Sequence, residues 1–390
     1  MQNPVAPTKT AVPLLDLSRE FAAIRDEVMA AIEEVCARQH FVLGPPAERF
    51  ETAAAAACGT SAAIGCASGT DALWLAMAAL GIGPGDTVLT TPFSFFATVS
   101  SILRAGATPL LADIDEQTFN LSPAAVSATI AAQAAHGAEV RALLPVHLYG
   151  QCADMTAFAA LAQQHDMRII EDAAQAFGAE WNGRPAGSLG DAAAFSFYPT
   201  KNLSAFGDAG MVTTGDAGVA EHARALRNHG MRRRYFHEEI GWNSRLDGIQ
   251  AAVLEVKLRR LPAGNARRRE LAALYDGQLR AAGFAAANTT DGLVLPFVDP
   301  RALPVFHQYV LRVPRRDALR AFLTERGIGS EVYYPLPLHL QESLAFLGYR
   351  AGDFPIAEKA ATEVLALPIY PELREAEVTT VVDAIRSFYA

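Results

Sequence analysis

Cysteine is scarce: Cys36, Cys58, Cys66 and Cys152 are the four in 390 residues, with no C-x-x-C pair and no framework spacing. That excludes a disulfide scaffold and leaves reduced, buried thiols in the cytoplasm as the reading. Positive charge is also in short supply. The 33 lysines and arginines face 42 aspartates and glutamates, a net charge of −9, which argues against a general nucleic-acid-binding surface. A local basic pocket for an anionic substrate stays compatible with that balance. No apolar run approaches the ~18 residues of a membrane span. The N-terminus, MQNPVAPTKT, lacks the basic-then-apolar layout of a secretory leader. Beyond an alanine bias there is no low-complexity segment, and no internal repeat. A soluble cytoplasmic protein is the expectation.

What is present is ordinary globular composition, 51% hydrophobic and 19% charged, in a chain long enough for a full core and a second domain. Residues 1–12 read as a loose tail. Residues 18–39 carry helical spacing, with Ser18 as N-cap. From residue 62 strands alternate with helices. The strands are read at 62–66, 87–90, 109–112, 142–147, 168–171, 192–197 and 211–213. The helices fall at 71–80, 96–105, 123–135 and 154–165. This alternation predicts an α/β fold: a mostly parallel central sheet covered by helices on both faces. It ends near residue 215. Helices at 216–228, 246–261 and 266–282 then lead to a smaller C-terminal α+β part, with strands at 306–313 and 330–334 and helices at 317–326, 356–364 and 375–387. The chain thus divides into two domains, a large one over 1–255 and a small one over 256–390.

The chemistry centres on Lys201. The strand before it is apolar and aromatic, Pro199 removes a ladder donor, and Gly207 and Gly210 punctuate the loop beyond it. A lysine on such a constrained loop is commonly a solvated side chain. In an apolar pocket, however, it loses ammonium solvation, its pKa falls, and its free amine attacks carbonyls. Asp172 ends the strand Ile169-Ile-Glu-Asp, where α/β sheets place ligand groups, although a turn-capping role is equally open from the residues alone. A carbonyl-capturing lysine and an acid that keeps a heterocyclic nitrogen protonated are what pyridoxal phosphate requires. Cys66-Ala-Ser-Gly-Thr-Asp71 joins a strand to a helix, so its free N–H groups can bind a phosphate. By itself Ser-Gly-Thr is usually a turn. Ser196 could add a donor, and one phenyl ring of 91–98 could stack on a pyridine face instead of filling the core.

The segments SGTDAL (68–73), PFSFFAT (92–98), DID (113–115), PVHLYGQ (145–151), EDAAQAFGA (171–179), SFYPTKNL (196–203), GDAGMV (207–212), NSRLDxIQAA (243–252) and YYPLPLHLQ (333–341) occur in this order. Over residues 14–375 the chain resembles the DegT/DnrJ/EryC1/StrS family, fold-type-I pyridoxal-phosphate aminotransferases acting on nucleotide-linked keto sugars. By that resemblance Lys201 is the lysine that bonds the cofactor, and Asp172 partners the pyridine nitrogen. Gln175 hydrogen-bonds the phenolic oxygen and Phe95 covers the ring. Gly69, Thr70, Asp71 (through its backbone) and Ser196 hold the phosphate. Asn243 reaches the phosphate of a neighbouring subunit, implying a homodimer with shared active sites. Tyr334 and His339 lie in the motif that lines the sugar pocket. Ser204 and Ala209 stand where the family commonly has glycine. Lysine rather than histidine at 201 separates the chain from the family's sugar dehydratases.

The resemblance implies transfer of an amino group from L-glutamate to a nucleotide-linked keto sugar, dTDP- or UDP-linked, with C3 amination favoured and a 4-keto substrate the nearest competitor. Two further readings are a non-catalytic or regulatory sugar-nucleotide-binding homologue and another pyridoxal-phosphate reaction such as deoxygenation. Arg232, in Arg232-Arg-Arg-Tyr235, is read as a solvated loop residue with a substrate diphosphate as its alternative partner. His147 and His229 are read as structural.

Overall fold

Short apolar strands rich in alanine set the architecture. In the computed structural model, which describes residues 11–390 except 136, 138 and 285–291, they form one seven-stranded sheet. Most of the predicted N-terminal tail lies outside the described residues. The strands are β1 (Ala62–Cys66), β2 (Thr87–Thr90), β3 (Thr108–Leu111), β4 (Ala142–Leu143), β5 (Arg168–Asp172), β6 (Ala192–Ser196) and β7 (Gly210–Thr214). Their spatial order is β1-β7-β6-β5-β4-β2-β3. The four pairings from β3 to β6 are parallel, while β7 runs antiparallel to both β1 and β6. The sheet is thus mostly parallel, in agreement with the alternating pattern.

Helices α1 (Leu17–Arg38), α2 (Pro45–Ala57), α3 (Gly69–Ala79), α4 (Ala97–Arg104), α5 (Pro123–Ala135), α6 (Met155–His165), α7 (Ala217–Leu226), α8 (Gly248–Leu258) and α9 (Leu261–Ala281) surround it. The two-residue period of a strand divides the core between its faces. On β6, Ala192 and Ala194 pack with α3 and α7, whereas Ala193 and Phe195 join the cluster of α2, α5, α6 and α8. Alanine on the first face lets α3, buried from Ala72 to Met77, lie close to the sheet.

The C-terminal part adds β8 (Tyr309–Arg312) and β9 (Val364–Leu367), an antiparallel pair, with α10 (Arg316–Glu325), α11 (Pro355–Glu363) and α12 (Glu375–Tyr389). Its core is continuous with residues of the sheet region, including Phe93, Val146 and Tyr149. Asp113, from the loop after β3, accepts the first N–H groups of α11 from Ile356 and Ala357, each at 3.0 Å.

Several expectations are corrected. Asp16, not Ser18, caps α1, its Oδ1 accepting the Ser18 N–H at 3.0 Å. The strand read at 142–147 stops at Leu143 because Pro145 has no N–H to continue the ladder. Pro262 opens α9 rather than closing the helix before it. The strand read at 330–334 reduces to one bridge between Glu331 and Ala366, with Pro335 and Pro337 just beyond. Helix α2 and strand β9 were not foreseen.

Candidate active site

The carboxyl ends of β5 and β6 open onto a cavity of about 680 Å³. Asp172, the last residue of β5, is 5% exposed. Its Oδ2 accepts from Thr98 Oγ1 at 2.8 Å and its Oδ1 from the Ala174 N–H at 3.3 Å. Thr98 Oγ1 is itself 2.8 Å from Ser94 Oγ, so the carboxylate is held from one side by a chain of hydroxyls. Burial pushes the Asp172 pKa up, against those hydrogen bonds and the nearby positive charge of Lys201.

Lys201 sits on the loop between β6 and β7. Phe197 donates to Ala209 O and Ala205 donates to Phe197 O, both at 2.8 Å, while the Lys201 N–H donates to Tyr198 O at 2.8 Å. These bonds fix the loop across Pro199, which cannot donate. Loss of hydration in the cavity lowers the lysine pKa to about 8, although the Asp172 charge pulls it upward. Near neutral pH the free amine is therefore a minority form, but far more populated than on a solvated lysine.

A cradle lies at the start of α3. Ser68 caps the helix, its Oγ accepting the Asp71 N–H at 3.1 Å. The Gly69 and Thr70 N–H groups come before the first helical bond, and both residues line the cavity with Ser196. A Cβ on Gly69 would stand 2.6 Å from Ser196 Cβ, and one on Gly210 would stand 2.2 Å from Ser68 O. Glycine at both positions is what lets the strand end and the helix start close on one point. The donors suit a phosphate, Asp172 suits a ring nitrogen and Lys201 suits an aldehyde. The residues present fit the cofactor that the resemblance implies.

Gln175 is 8% exposed; its Oε1 accepts from the Tyr149 N–H at 2.7 Å and its Nε2 donates to Tyr334 OH at 3.2 Å. Phe95 is 60% exposed at the mouth, its ring 6.3 Å from that of Tyr334. Lys201, Asp172, Gly69, Thr70, Ser196, Gln175, Phe95 and Tyr334 thus share one cavity.

Four predicted residues stand off its wall. Asp71 spends its N–H on the Ser68 cap and its carboxylate on Arg104 and Ser244. Asn243 is exposed beyond the cavity of its own chain. His339 is buried against Phe354, with its Nε2 3.0 Å from Glu358, and it does not line the cavity. Arg232 pairs with Glu221, Glu238 and Glu239 at 3.5, 3.0 and 3.2 Å, and these acids hold it at the surface. His147 is structural as read: its Nδ1 accepts the Ala153 N–H and its Nε2 donates to Glu171, which also accepts from Gly187, Leu189 and Gly190.

Sequence reasoning missed Thr98, Arg268, His307 and Tyr333 on or beside the cavity. Thr98 was legible as the residue one helical turn after Ser94, but Arg268 sits in an Arg267-Arg-Arg269 run that reads as a solvated face.

The model of the DegT/DnrJ/EryC1/StrS aminotransferase family matches residues 22–386. A protein of Geobacillus stearothermophilus named "pleiotropic regulatory protein" is 48% identical, covering 97% of this chain and 98% of its own. The UDP-N-acetyl-3-dehydro-alpha-D-glucosamine 3-aminotransferase of Acidithiobacillus ferrooxidans is 42% identical over the same shares of the two chains. The crystal structure of DesV from S. venezuelae superposes with a TM-score of 0.91 at 44% identity, covering 97% of this chain and 98% of that one.

Proposed function

The chain belongs to the DegT/DnrJ/EryC1/StrS aminotransferase family, and it is a pyridoxal-phosphate-dependent sugar aminotransferase; we propose that its substrate is a dTDP- or UDP-linked 3-keto sugar, aminated at C3 with L-glutamate as donor. The observation that carries the reading is the pairing, on one cavity wall, of a lysine whose amine is driven toward the free base with a buried carboxylate. The C3 assignment is supported by the name of the Acidithiobacillus relative.

Bound pyridoxal phosphate supplies an aldehyde and a ring that draws electrons from the reacting carbon. Lys201 would be the residue that bonds that aldehyde, and its free amine would be the group placed to carry the proton of the 1,3-shift. Asp172, oriented by Thr98 and the Ala174 N–H, keeps a proton on the ring nitrogen. The start of α3 and Ser196 hold the phosphate, Gln175 takes the phenolic oxygen, and Phe95 screens the ring from water. Tyr334 faces the sugar. Asn243 completes the site of a second copy, which makes the working unit a homodimer. The same reading divides the chain at 255/256 into a cofactor-binding and a smaller domain.

The test is a panel of dTDP- and UDP-linked 3-keto and 4-keto sugars with glutamate, products identified by NMR and 2-oxoglutarate quantified. A 3-amino product with stoichiometric 2-oxoglutarate is expected; amination of 4-keto sugars alone overturns the C3 assignment. Borohydride treatment of holoenzyme should leave a pyridoxyl adduct on Lys201, and an adduct on another lysine overturns its role. A purely regulatory protein, the second reading suggested by the name of the Geobacillus relative, would release no 2-oxoglutarate with any sugar of the panel.

A further inference from the structure

Lys257 is buried, yet it does not line the cavity. It sits in the last turn of α8, 4% exposed, and a lysine is buried only where its charge is met. Glu20 of α1 supplies the counter-charge, its Oε2 2.8 Å from Nζ, and stays partly in contact with solvent. Glu372 is the other acid within reach of that field. The ring of Phe206 lies 5.8 Å from Nζ. A second hydrogen of the ammonium goes to Ser204 Oγ, and Ser204 is itself 2% exposed. Charge-assisted bonds of this kind are about twice as strong as neutral ones. Ser204 stands three residues beyond Lys201 on the same loop.

The residues after Lys201 are held alternately from two sides. Leu203 and Ala205, each 1% exposed, turn into the apolar cluster that contains Phe197. Ser204 and Phe206 turn the other way, toward α8. The Phe206 N–H donates to Gln250 Oε1 at 2.8 Å, and the Phe206 ring meets Phe21 of α1 edge-on at 5.7 Å. Gln250 and Lys257 are seven residues apart, two helical turns, so they stand on one face of α8. That face meets the loop at two points. Helix α1 is fixed to α8 beside them, Ile24 and Val28 packing on Val253 and Val256. The φ of Ser204 lies outside the left-handed region, so a side chain is carried there without strain. Without its hydroxyl, the loop would keep only the Phe206 contacts on this side.

We propose that Lys257 is a positioning residue for Lys201: through Ser204 Oγ, and with Glu20 as its counter-ion, it pins the loop so that the Lys201 amine meets the cofactor aldehyde from one place. This rests on the cofactor reading above. The effect is mechanical and not electrostatic, because Asp172 is the charge that acts on Lys201.

Recombination of apo-protein with pyridoxal phosphate, followed by absorbance from pH 6.5 to 9, separates position from charge. Ser204→Ala and Lys257→Met should each lower the plateau rate at high pH by about tenfold, the equivalent of one hydrogen bond to a charged group. The midpoint near pH 8 should stay in place. The double variant should lose no more than either single one, since both remove the same bond. Hydrogen exchange of the apo-protein should quicken at the Lys201, Ala205 and Phe206 amides in all three. Val28→Ala is the control: it loosens α1 on α8 and leaves the bond intact, so its plateau should hold within about twofold. An equal fall in Val28→Ala overturns the proposal, because general packing would then be the cause. So does an unchanged plateau in Ser204→Ala, a moved midpoint in Lys257→Met, or losses that multiply in the double variant. If Lys257→Met fails to fold, Ser204→Gly, which installs the residue common in the family, decides beside Ser204→Ala by the same criteria. Wild-type apo-protein that does not recombine would instead sink the cofactor reading, a distinguishable result.

Discussion

Lys201 has two protonation states with opposite uses, and the cavity sets where they exchange. Desolvation brings its pKa from 10.5 to about 8, so the amine that captures an aldehyde is the minority form at pH 7 and the majority form above pH 8. Recombination of apo-protein with pyridoxal phosphate, followed by absorbance, should therefore quicken with rising pH and level off above a midpoint near 8. A flat profile between pH 6.5 and 9 would show that the amine is not the titrating nucleophile. The stability of the apo-protein carries the same sign. Between about 8 and 10.5 the unfolded chain holds the proton and the folded chain has lost it, so this lysine's contribution to stability rises with pH across that window. Lys201→Ala removes both effects. It should keep the fold and phosphate binding yet lose about a thousandfold or more in turnover, since one group serves as nucleophile and proton carrier. Near-normal turnover in that variant would be incompatible with the mechanism.

At the level of elements, the site depends on how closely β6 and β7 approach the start of α3, and Gly69 and Gly210 set those two distances. Gly69→Ala would place a Cβ 2.6 Å from Ser196 Cβ and 3.1 Å from Ser196 Cα, so the cradle must open by several tenths of an ångström. Such overpacking costs about 1–3 kcal/mol, and part of it should appear as weaker cofactor binding, measured by fluorescence titration of apo-protein. Unchanged affinity would mean that the phosphate is held elsewhere. Much of this geometry was legible beforehand. The end residues of β1 and β2 are legible in the sequence, and so is the strand-to-helix joint at Ser68-Gly-Thr, because glycine and small hydroxyl residues come directly after a buried apolar run. Lys201 and Asp172 were legible for the same reason: each stands at or just past the end of a strand in a parallel part of the sheet. The parts that could not be read are set by partners far away in sequence. Helix α2 hides behind Pro45-Pro46 and an alanine run with few apolar anchors beyond Phe50. His339 sits in a motif that pointed to the cavity, but Glu358, nineteen residues on, claims its ring. Arg268 looked solvated because its neighbours Arg267 and Arg269 are surface residues in character, and only the fold brings Phe306 O and Ile369 O to it.

Across the whole molecule, the cavity is shared by the sheet region and the C-terminal part, so its shape depends on what holds those two together. One tie is polar and nearly dry. Glu377, in the first turn of α12 and 2% exposed, accepts two hydrogen bonds from Arg19 of α1, at 2.9 and 2.7 Å. It also accepts from the Arg374 N–H and guanidinium, both at 2.8 Å. Arg19 adds a bond to Glu372 O at 3.2 Å and lies over the Tyr370 ring. The Arg19 hydrogen bonds, ahead of the other causes, hold the Glu377 carboxyl well below the ordinary glutamate range. A depressed folded-state pKa contributes stability that is fully present above about 4.5, the ordinary value, and is lost as pH falls through the folded value. Glu377→Gln keeps the shape but removes the charge, leaving Arg19 with a neutral acceptor. It should cost about 2 kcal/mol at neutral pH, the partial exposure of Arg19 keeping the loss below that of a fully buried pair. The difference from wild type in denaturant-unfolding curves should shrink steadily as pH drops from 5 toward 2, because acid discharges the wild-type carboxylate while the amide is indifferent. A difference that stays constant over that interval would mean that packing of α12 on α1, and not the charge on Glu377, joins the two ends of the chain.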